Sequence, residues 1–315
     1  MKCSIVIRSY NEASHIGRLI DGIHKQHLPD GYSTEIILVD SGSTDSTVAI
    51  AESMGAKIVS IDKNEFSFGR ALNRGCEHAN GDILIFASAH VYPIYEDWIA
   101  EIIKEFKNEE IAIVYGKQTG NEITAFSEQQ IFNRWFPSQS NLDQNHPFCN
   151  NANCAIRKSL WAEQKYDENL TGLEDLDWAQ RIISLGYKIV YKAEAVIVHV
   201  HNETPLSIRN RYRREAIAIK QIVPKINFSF FKFIKLFIIN SFSDFLEAIR
   251  VGKFFSLFRS IVIFRYNQFY GTYLGHAQKG TVSKDLTNIF YYPSGFQKKQ
   301  QNSNEELEQK RIKYH

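Results

Sequence analysis

"TEIILVDSGSTDSTVAIAESMGAKIVSID", residues 34 to 62, decides the fold. It opens with an apolar run ending at Asp40 and passes through a Ser/Gly/Thr turn. A helix-forming stretch follows, with Asp45 or Ser46 available as its cap and Gly55 as its stop, and then a short β-rich run, "KIVSID". That order predicts strand, helix, strand. The pattern continues on both sides. Upstream, "CSIVIRSY" is a β-rich run, followed by a stretch in which Ile16, Leu19, Ile20 and Ile23 recur at helical spacing. Downstream, "FGRALNRGCEHANG" predicts a helix ending at Gly81, and "DILIFASAH" a fourth strand. Strands alternating with helices over the first ninety residues predict an α/β fold whose central sheet is mostly parallel, with right-handed crossovers. Sheets of this kind bind ligands outside the carboxyl ends of their strands. Those ends carry Ser9 to Glu12, Asp40 to Ser43, Asp62, and Ser88 to His90.

The middle of the chain is less regular. "DWIAEIIKEF" predicts a helix, "IAIVYGKQ" a strand, and "SEQQIFNRWFP" a short helix stopped by Pro137. "NHPFCNNANCAIRKSLW" is turn-rich and then strand-like. "EDLDWAQRIISLG" has Leu176, Ala179, Ile182 and Ile183 at helical spacing, with Gly186 at its end. "YKIVY" and "AVIVHVH" read as two further strands. Thr204 and Pro205 supply the cap and first-turn proline of a long basic helix. The expected organisation is a catalytic domain over 1–203, a helical, basic, Phe-rich region over 204–296, and a polar tail over 297–315 that is disordered or a loose helix.

With 315 residues, 44% hydrophobic and 23% charged, the chain has the composition of an ordinary globular protein. The formal charge of +2 is unevenly spread. Pro205 to Arg265 holds twelve Lys or Arg against three Asp or Glu, and half of the 22 Phe. Such a window suits nucleic acid, an anionic membrane surface, or core helices with a solvated basic face. The four cysteines lack paired metal spacing and read as reduced thiols of a cytosolic protein. The N-terminal apolar run is too short for a signal peptide. The longest later candidate, Leu236 to Ser243, is far short of a membrane span. The expected location is cytoplasmic, peripheral on the inner face of the membrane.

Several residues are candidates for chemistry. Glu174, Asp175 and Asp177 crowd one helix start. The helix dipole stabilises an acid there by about 0.3–1 kcal/mol, which accounts for one better than for three. A general base is the sharper reading. Asp40 suits a sugar or base contact, or a plain strand terminator and turn cap. His199 and His201, two apart on a predicted strand, would face one side and could ligate a metal. His90 stands at a strand end as metal ligand, substrate contact or surface residue. Arg209, Arg211, Arg213 and Arg214 do not share one narrow helix face; a solvated surface is expected, with a fraction of them reaching a phosphate.

Seven segments in order carry a resemblance: "SYNE", "VDSGSTDST", "FSFGRALNRG", "SAH", "NNANCAIRKSLW", "GLEDLDWAQR" and "VHVHN". The set resembles glycosyltransferase family 2, inverting enzymes with the GT-A fold. It looks most like bacterial, rhamnosyltransferase-like enzymes that build capsule or lipopolysaccharide glycans. The resemblance implies that Ser9, Tyr10, Glu12 and Asp40 hold the nucleotide base and ribose, with Asp62 near the base. Arg70 and Asn73 would lie near the nucleotide or donor sugar. Asp175 would be the catalytic base, and Glu174 would orient the acceptor or the base. Asn150, Asn151, Asn153 and Trp178 would line the acceptor or donor sugar pocket. His199 would be a metal ligand, with His201 the alternative.

One departure stands out. Family members carry Asp-x-Asp after the fourth strand, where this chain has Ser88, Ala89 and His90. A divalent cation, Mn²⁺ or Mg²⁺, is expected to be retained but more weakly held. A site of His90, His199 and His201 suits Mn²⁺ or a softer ion better than Mg²⁺. The alternative is that His90 and the arginines neutralise the donor diphosphate without metal. The expected partners are a nucleotide-sugar donor, a glycan or lipid-linked glycan acceptor, the inner-membrane surface and a second copy in a homodimer, but no nucleic acid. Two other functions compete: a nucleotidyltransferase, weakened by the lack of a glycine-rich phosphate loop, and a glycan-binding pseudoenzyme, weakened by the Glu174–Asp175 pair.

Overall fold

A computed structural model describes residues 1–280 and 310–314. The strands are β1 (Lys2–Ser9), β2 (Ser33–Asp40), β3 (Lys57–Ser60), β4 (Ile83–Ser88), β5 (Val91–Pro93), β6 (Ile111–Thr119), β7 (Asn141–Gln144), β8 (Asn153–Arg157) and β9 (Lys188–His199). They form one sheet in the order β3-β2-β1-β4-β8-β6-β9-β5, with β7 paired on β9. The β1–β2, β2–β3, β1–β4 and β6–β9 pairs are parallel. β8 enters antiparallel between β4 and β6, and β5 and β7 are antiparallel to β9. The expected parallel half is therefore present, and the second half of the sheet is mixed. β5 and β7 are too short to leave a periodic signal. "YKIVY" and "AVIVHVH" are one long strand, because Lys192 to Glu194 continue the extended backbone between them.

The helices are α1 (Ile16–His24), α2 (Thr47–Ser53), α3 (Phe68–Glu77), α4 (Trp98–Ile103), α5 (Phe126–Trp135), α6 (Lys158–Glu163), α7 (Glu174–Ser184), α8 (Pro205–Ile222), α9 (Phe230–Arg250) and α10 (Phe254–Ala277). Alternation along β1 sorts the core into two layers. Ile5 and Ile7 face α1 and α4, packing with Leu19, Ile20, Trp98 and Ile102. Val6 faces the other side, packing with Leu72, Phe86, Trp161 and Trp178. Successive strand residues point to opposite faces, so a strand covered on both sides must be apolar throughout. This explains the unbroken run "SIVI". On the second face α3 lies close against the sheet at Gly75, where a Cβ would stand 2.3 Å from Val6 Cγ1.

The described part of the Phe-rich region, up to residue 280, is three helices, and 281–296 lie outside the described residues. α8 and α10 pack with their backbones nearly touching: a Cβ at Gly271 would meet the Arg209 carbonyl oxygen at 2.3 Å. Arg265 grips Asp244 with two hydrogen bonds of 2.7 and 2.8 Å, both side chains only 2% exposed, and also reaches the Ser127 carbonyl of α5. This pair ties α9 and α10 to each other and, through Ser127, to α5. Among the described residues, no helix is long and apolar enough to cross a membrane.

The tail expectation needs correction for residues 310–314, while 297–309 and 315 lie outside the described residues. Arg311 bridges Tyr95, Ile312 donates its N–H to the Ile94 carbonyl at 3.0 Å, and the Tyr314 hydroxyl donates to the Pro93 carbonyl. The Tyr314 ring lies under the Arg18 guanidinium and edge-on to Tyr92. Ile312 and Tyr314 have apolar surface to bury beside β5, which polarity averaged over the tail conceals.

Candidate active site

The β1–α1 and β2–α2 turns are clipped together at the strand ends. Asn11 adopts φ 53, the left-handed region that Asn tolerates. Its backbone N–H donates to Ser43 Oγ, and its side-chain oxygen accepts from the Thr44 N–H, each at 2.8 Å. The Glu12 N–H donates to Thr47 Oγ1 at 2.7 Å. Asp40 is buried. It accepts from the Gly42 and Ser43 N–H groups and from the Ser9 and Ser43 hydroxyls. Asp40 thus caps its own turn, and Ser9 is buried as its partner. Lys63 donates to the Tyr10 hydroxyl at 2.8 Å, which brings the turn after Asp62 alongside Tyr10. Asp62 itself is exposed and accepts from the Asn64 N–H.

The acidic pair sits at the first turn of α7. Leu173, immediately before it, has φ 56. A branched L-residue in this region costs about 1–2 kcal/mol, and such strain clusters at functional sites. Glu174 is buried, with Oε1 accepting from Arg8 Nη1 at 3.1 Å and from Asn151 Nδ2 at 3.4 Å. Asp175 accepts from the Asn151 N–H at 3.1 Å and the Leu176 N–H at 2.8 Å. Burial raises the Asp175 carboxyl to about 7, and the neighbouring Glu174 charge adds to the rise. The backbone donors and Arg8 oppose it. Arg8 also stacks on Phe68, and Arg214 lies over the same ring, each 4.6 Å from its centroid. Arg8 thus stands beside the acidic pair, and Arg214 lies 3.4 Å from where a Cβ would stand on Gly172, two residues before it.

Across the strand ends, three histidines converge. His90 follows β4, and its carbonyl accepts from the Val200 N–H, which brings it beside the end of β9. Its ring stacks on His199 at 5.0 Å, and its Nδ1 lies 3.0 Å from Glu12 Oε1. His199 Nδ1 bonds Gln118 Oε1 at 2.8 Å, and His201 Nδ1 bonds Glu128 Oε1 at 2.7 Å. The two Nε2 atoms lie 2.9 Å apart. Ligand atoms of all three rings fall within 4.8 Å of one another. Burial pushes His199 well below its ordinary value, assisted by the charges of His201 and His90, so it is held neutral as a metal ligand must be. These donors fit a divalent cation of intermediate softness. The expectation that both histidines sit on the strand is corrected: β9 ends at His199, and His201 reaches the cluster from the following turn.

The structure brings together Ser9, Tyr10, Glu12 and Asp40 at one set of strand ends, and Asn151 with Glu174 and Asp175. Ser88 ends β4, and Ala89 is buried. Asn150 accepts from the Ala152 N–H and so shapes the turn before β8. Arg70 is bound to Glu168 Oε2 and the Glu65 carbonyl. Three residues expected near a sugar or nucleotide are buried braces. Asn73 accepts from Trp161 Nε1 and the Tyr166 N–H while donating to the Tyr166 carbonyl and Glu168. Asn153 donates to the Lys117 and Ala195 carbonyls and accepts from Trp98 Nε1. Trp178 is core, its indole N–H bound to the Gln164 carbonyl. A buried amide surrounded by backbone groups is fully used in satisfying them.

Four contributors went unrecognised in the sequence. Arg8 had a signal, a lone charge inside an apolar strand. Gln118, Glu128 and Asn151's backbone role had none, because each depends on a neighbour far away in the chain. Among the basic-helix arginines, Arg211 is taken by Glu128 at 2.7 Å and Glu203 at 2.5 Å, and Arg213 by Gln278 at 2.8 Å.

Polar and titratable side chains gathered at the strand ends of a half-parallel α/β sheet are the layout of an enzyme that binds its ligand outside the carboxyl ends of its strands. The chain belongs to glycosyltransferase family 2, whose domain matches residues 4–163, and it is a glycosyltransferase. It is 30% identical over 224 residues to the O-antigen chain rhamnosyltransferase RfbN of Salmonella typhimurium, covering 67% of this chain and 70% of that one. The O-antigen chain rhamnosyltransferase WbaN of Salmonella anatum is 27% identical, covering 66% and 69%. Among solved structures, the mannosyltransferase PcManGT of Pyrobaculum calidifontis, in complex with GDP-Man and Mn²⁺, superposes with a TM-score of 0.57 at 17% identity, over 85% of each chain. Glucosyl-3-phosphoglycerate synthase of Mycobacterium tuberculosis, with Mn²⁺ and UDP, gives 0.54 at 21%, over 72% of this chain and 81% of that one. These likenesses establish the GT-A fold.

Proposed function

We propose that the protein is an inverting glycosyltransferase. It moves a sugar from a nucleotide-sugar to a hydroxyl of a surface-polysaccharide acceptor, with Asp175 as the base. The observation that carries this is the Asp175 carboxylate, fixed by two backbone N–H groups beside Glu174 and poised near neutrality. A base titrating near the working pH is suited to accept a hydroxyl proton. The acceptor oxygen attacks the anomeric carbon on the face opposite the leaving group and loses its proton to Asp175. The bond to the diphosphate breaks, and its electron pair departs with the nucleoside diphosphate. Arg8 and Arg214, both over the Phe68 ring, are the cations that would offset that charge. His90, His199 and His201 would hold a divalent ion, which when bound supplies positive charge to the diphosphate. The likeness to O-antigen chain rhamnosyltransferases supports a cell-surface glycan as acceptor.

The reading includes a cytoplasmic enzyme resting on the inner membrane surface. Ile234, Ile238, Phe242, Leu246 and Ile249 form an exposed stripe along α9, and Phe231 and Phe255 are 85% and 94% exposed. Lys232, Lys235, Arg250, Lys253 and Arg259 flank them, also exposed. An apolar stripe with basic flanks suits the interface of an anionic bilayer. Flotation with anionic vesicles is the measurement: binding at low salt, lost in a Phe231→Ser/Phe255→Ser variant, supports it. A dimer that dissociates in that variant and shows no flotation would assign the stripe to a second copy instead.

The enzymatic test is release of nucleoside diphosphate from a panel of nucleotide-sugars, led by nucleotide-linked rhamnose, with and without Mn²⁺. Turnover by the wild type and none by Asp175→Asn is expected. No turnover with any donor would overturn the reading in favour of a glycan-binding protein.

A further inference from the structure

Beyond the acidic pair lies a cleft of about 300 Å³ that no part of the proposed chemistry uses. It is lined by Tyr115, Arg134, Trp135, His146, Phe148 and Tyr191. Trp135 ends α5 and is 49% exposed. Its ring stacks on Phe148 with centroids 4.6 Å apart, and Phe148 meets Tyr115 edge-on at 5.6 Å. Gln144 fixes the segment that carries Phe148. Its amide donates to the His146 and Phe148 carbonyls at 2.7 and 2.6 Å and accepts from the Tyr115 hydroxyl at 2.8 Å. The aromatic wall is therefore held in place by the protein itself.

The Phe148 wall of the cleft is tied to the candidate base by a short stretch of chain. Cys149, next to Phe148, places its Sγ 3.6 Å from the Asp175 carbonyl, and the Asn151 N–H donates to the Asp175 carboxylate. Asn151 is three positions beyond Phe148, at most about 11 Å of extended chain. Its lining pairs flat aromatic faces with polar groups at the rim. A pyranose has that same division, a face of C–H bonds edged by hydroxyls, and it fills a site that offers both kinds of surface. An isoprenoid chain would offer no hydrogen-bonding group to Arg134 and His146, both exposed at the rim.

We propose that this cleft is an acceptor subsite. It binds a sugar ring of the acceptor glycan beyond the unit that carries the reacting hydroxyl, its C–H face against Trp135 and Phe148 and its hydroxyls toward Arg134 and His146. The proposal rests on the glycosyltransferase reading above. Binding energy from such a remote unit orients the reacting hydroxyl, so its loss is felt as poor use of long acceptors.

The test uses the full chain and saturation-transfer NMR. The probes are the methyl glycosides of rhamnose, mannose, galactose and N-acetylglucosamine, farnesyl phosphate, and the nucleotides UDP, GDP and dTDP. At least one glycoside is expected to take up saturation on its ring C–H protons. Trp135→Ala should weaken that glycoside at least tenfold, Trp135→Phe should keep most of it, and nucleotide binding should match the wild type in both. The subsite is overturned if no glycoside binds the wild type, if Trp135→Ala binds it equally well, or if only farnesyl phosphate depends on Trp135. Nucleotide binding separates the two levels. A wild type that binds a nucleotide but no glycoside loses the subsite alone, whereas one that binds neither loses the glycosyltransferase reading as well.

Discussion

The Nε2 atoms of His199 and His201 face each other at 2.9 Å, while each Nδ1 is engaged by a side-chain oxygen, of Gln118 and Glu128 respectively. A separation of 2.9 Å is that of an N–H···N hydrogen bond when one Nε2 carries the proton; with both Nδ1 atoms donating, both Nε2 lone pairs are instead open to one shared cation. A divalent metal would take that place, with His90 stacked alongside. Glu128 fixes the ring of His201 from behind. Burial alone would raise the Glu128 carboxyl, but Arg211 and His201 hold it down at about 2. Partners of this kind set ligand orientation and basicity. Glu128→Gln is therefore expected to weaken Mn²⁺ binding about 10–100-fold, measured by calorimetry or by the Mn²⁺ resonance signal. His199→Ala and His201→Ala should weaken it further. Unchanged binding in all three variants would exclude these histidines as ligands.

Asp175 gives the pH dependence. Its carboxyl is raised to about 7 by burial first and the Glu174 charge second, and only the ionised form accepts a proton. Transfer should therefore be low in acid and rise through an inflection near 7. Glu174→Gln removes a neighbouring negative charge, so ionisation becomes easier and the inflection moves to lower pH. Arg8→Met removes a charge that favours ionisation and should move it up. Asp175→Asn should lose about 10²–10⁴-fold in kcat while binding nucleotide normally. A pH profile that is the same in all these variants would dissociate Asp175 from the rate.

The Asp244–Arg265 pair predicts a stability effect. Removing one member of a buried, doubly bonded pair strands the other charge, at about 3–5 kcal/mol. Asp244→Ala should lower the midpoint of chemical unfolding and loosen α9 and α10 first, seen as faster amide exchange there than in the sheet.

Gly75 is a packing test independent of function. Alanine would push a methyl group into Val6 and Val39 at the closest approach of α3 to the sheet. Overpacking of this kind costs about 1–3 kcal/mol, so Gly75→Ala should melt at a lower temperature and retain its nucleotide site. A melting temperature equal to the wild type would mean that α3 can move away freely.

Much of the fold was readable because its signals are local. A strand buried on both faces must be apolar along its length, and a crossover helix must carry its apolar residues at helical spacing. Both marks are written plainly from Ser4 to Ser88. The second half of the sheet was less readable. β5 has three residues and β7 four, and both form because β9 offers them an edge. "YKIVY" and "AVIVHVH" looked separate because Lys192 and Glu194 interrupt the apolar run. Lys192 is nonetheless buried, among the carboxylates of Glu101, Glu105 and Glu194, which no local pattern reveals.

The site divides in the same way. The sequence by itself determined which residue types stand at the strand ends: the acidic pair, the histidines, and the small polar turns. Their identity follows from order along the chain, and order was enough to mark the family. Only the tertiary structure decided what each of them is free to do. Asn73, Asn153 and Trp178 were spent on buried backbone and core contacts, and Asp40 on its own turn. Arg8, Gln118, Glu128 and Trp135 gained roles from neighbours that folding brought within a few ångströms. The physical reason is hydrogen-bond accounting. A buried polar side chain must be satisfied, and whether its partner is the protein or a substrate depends on what packs against it across the fold.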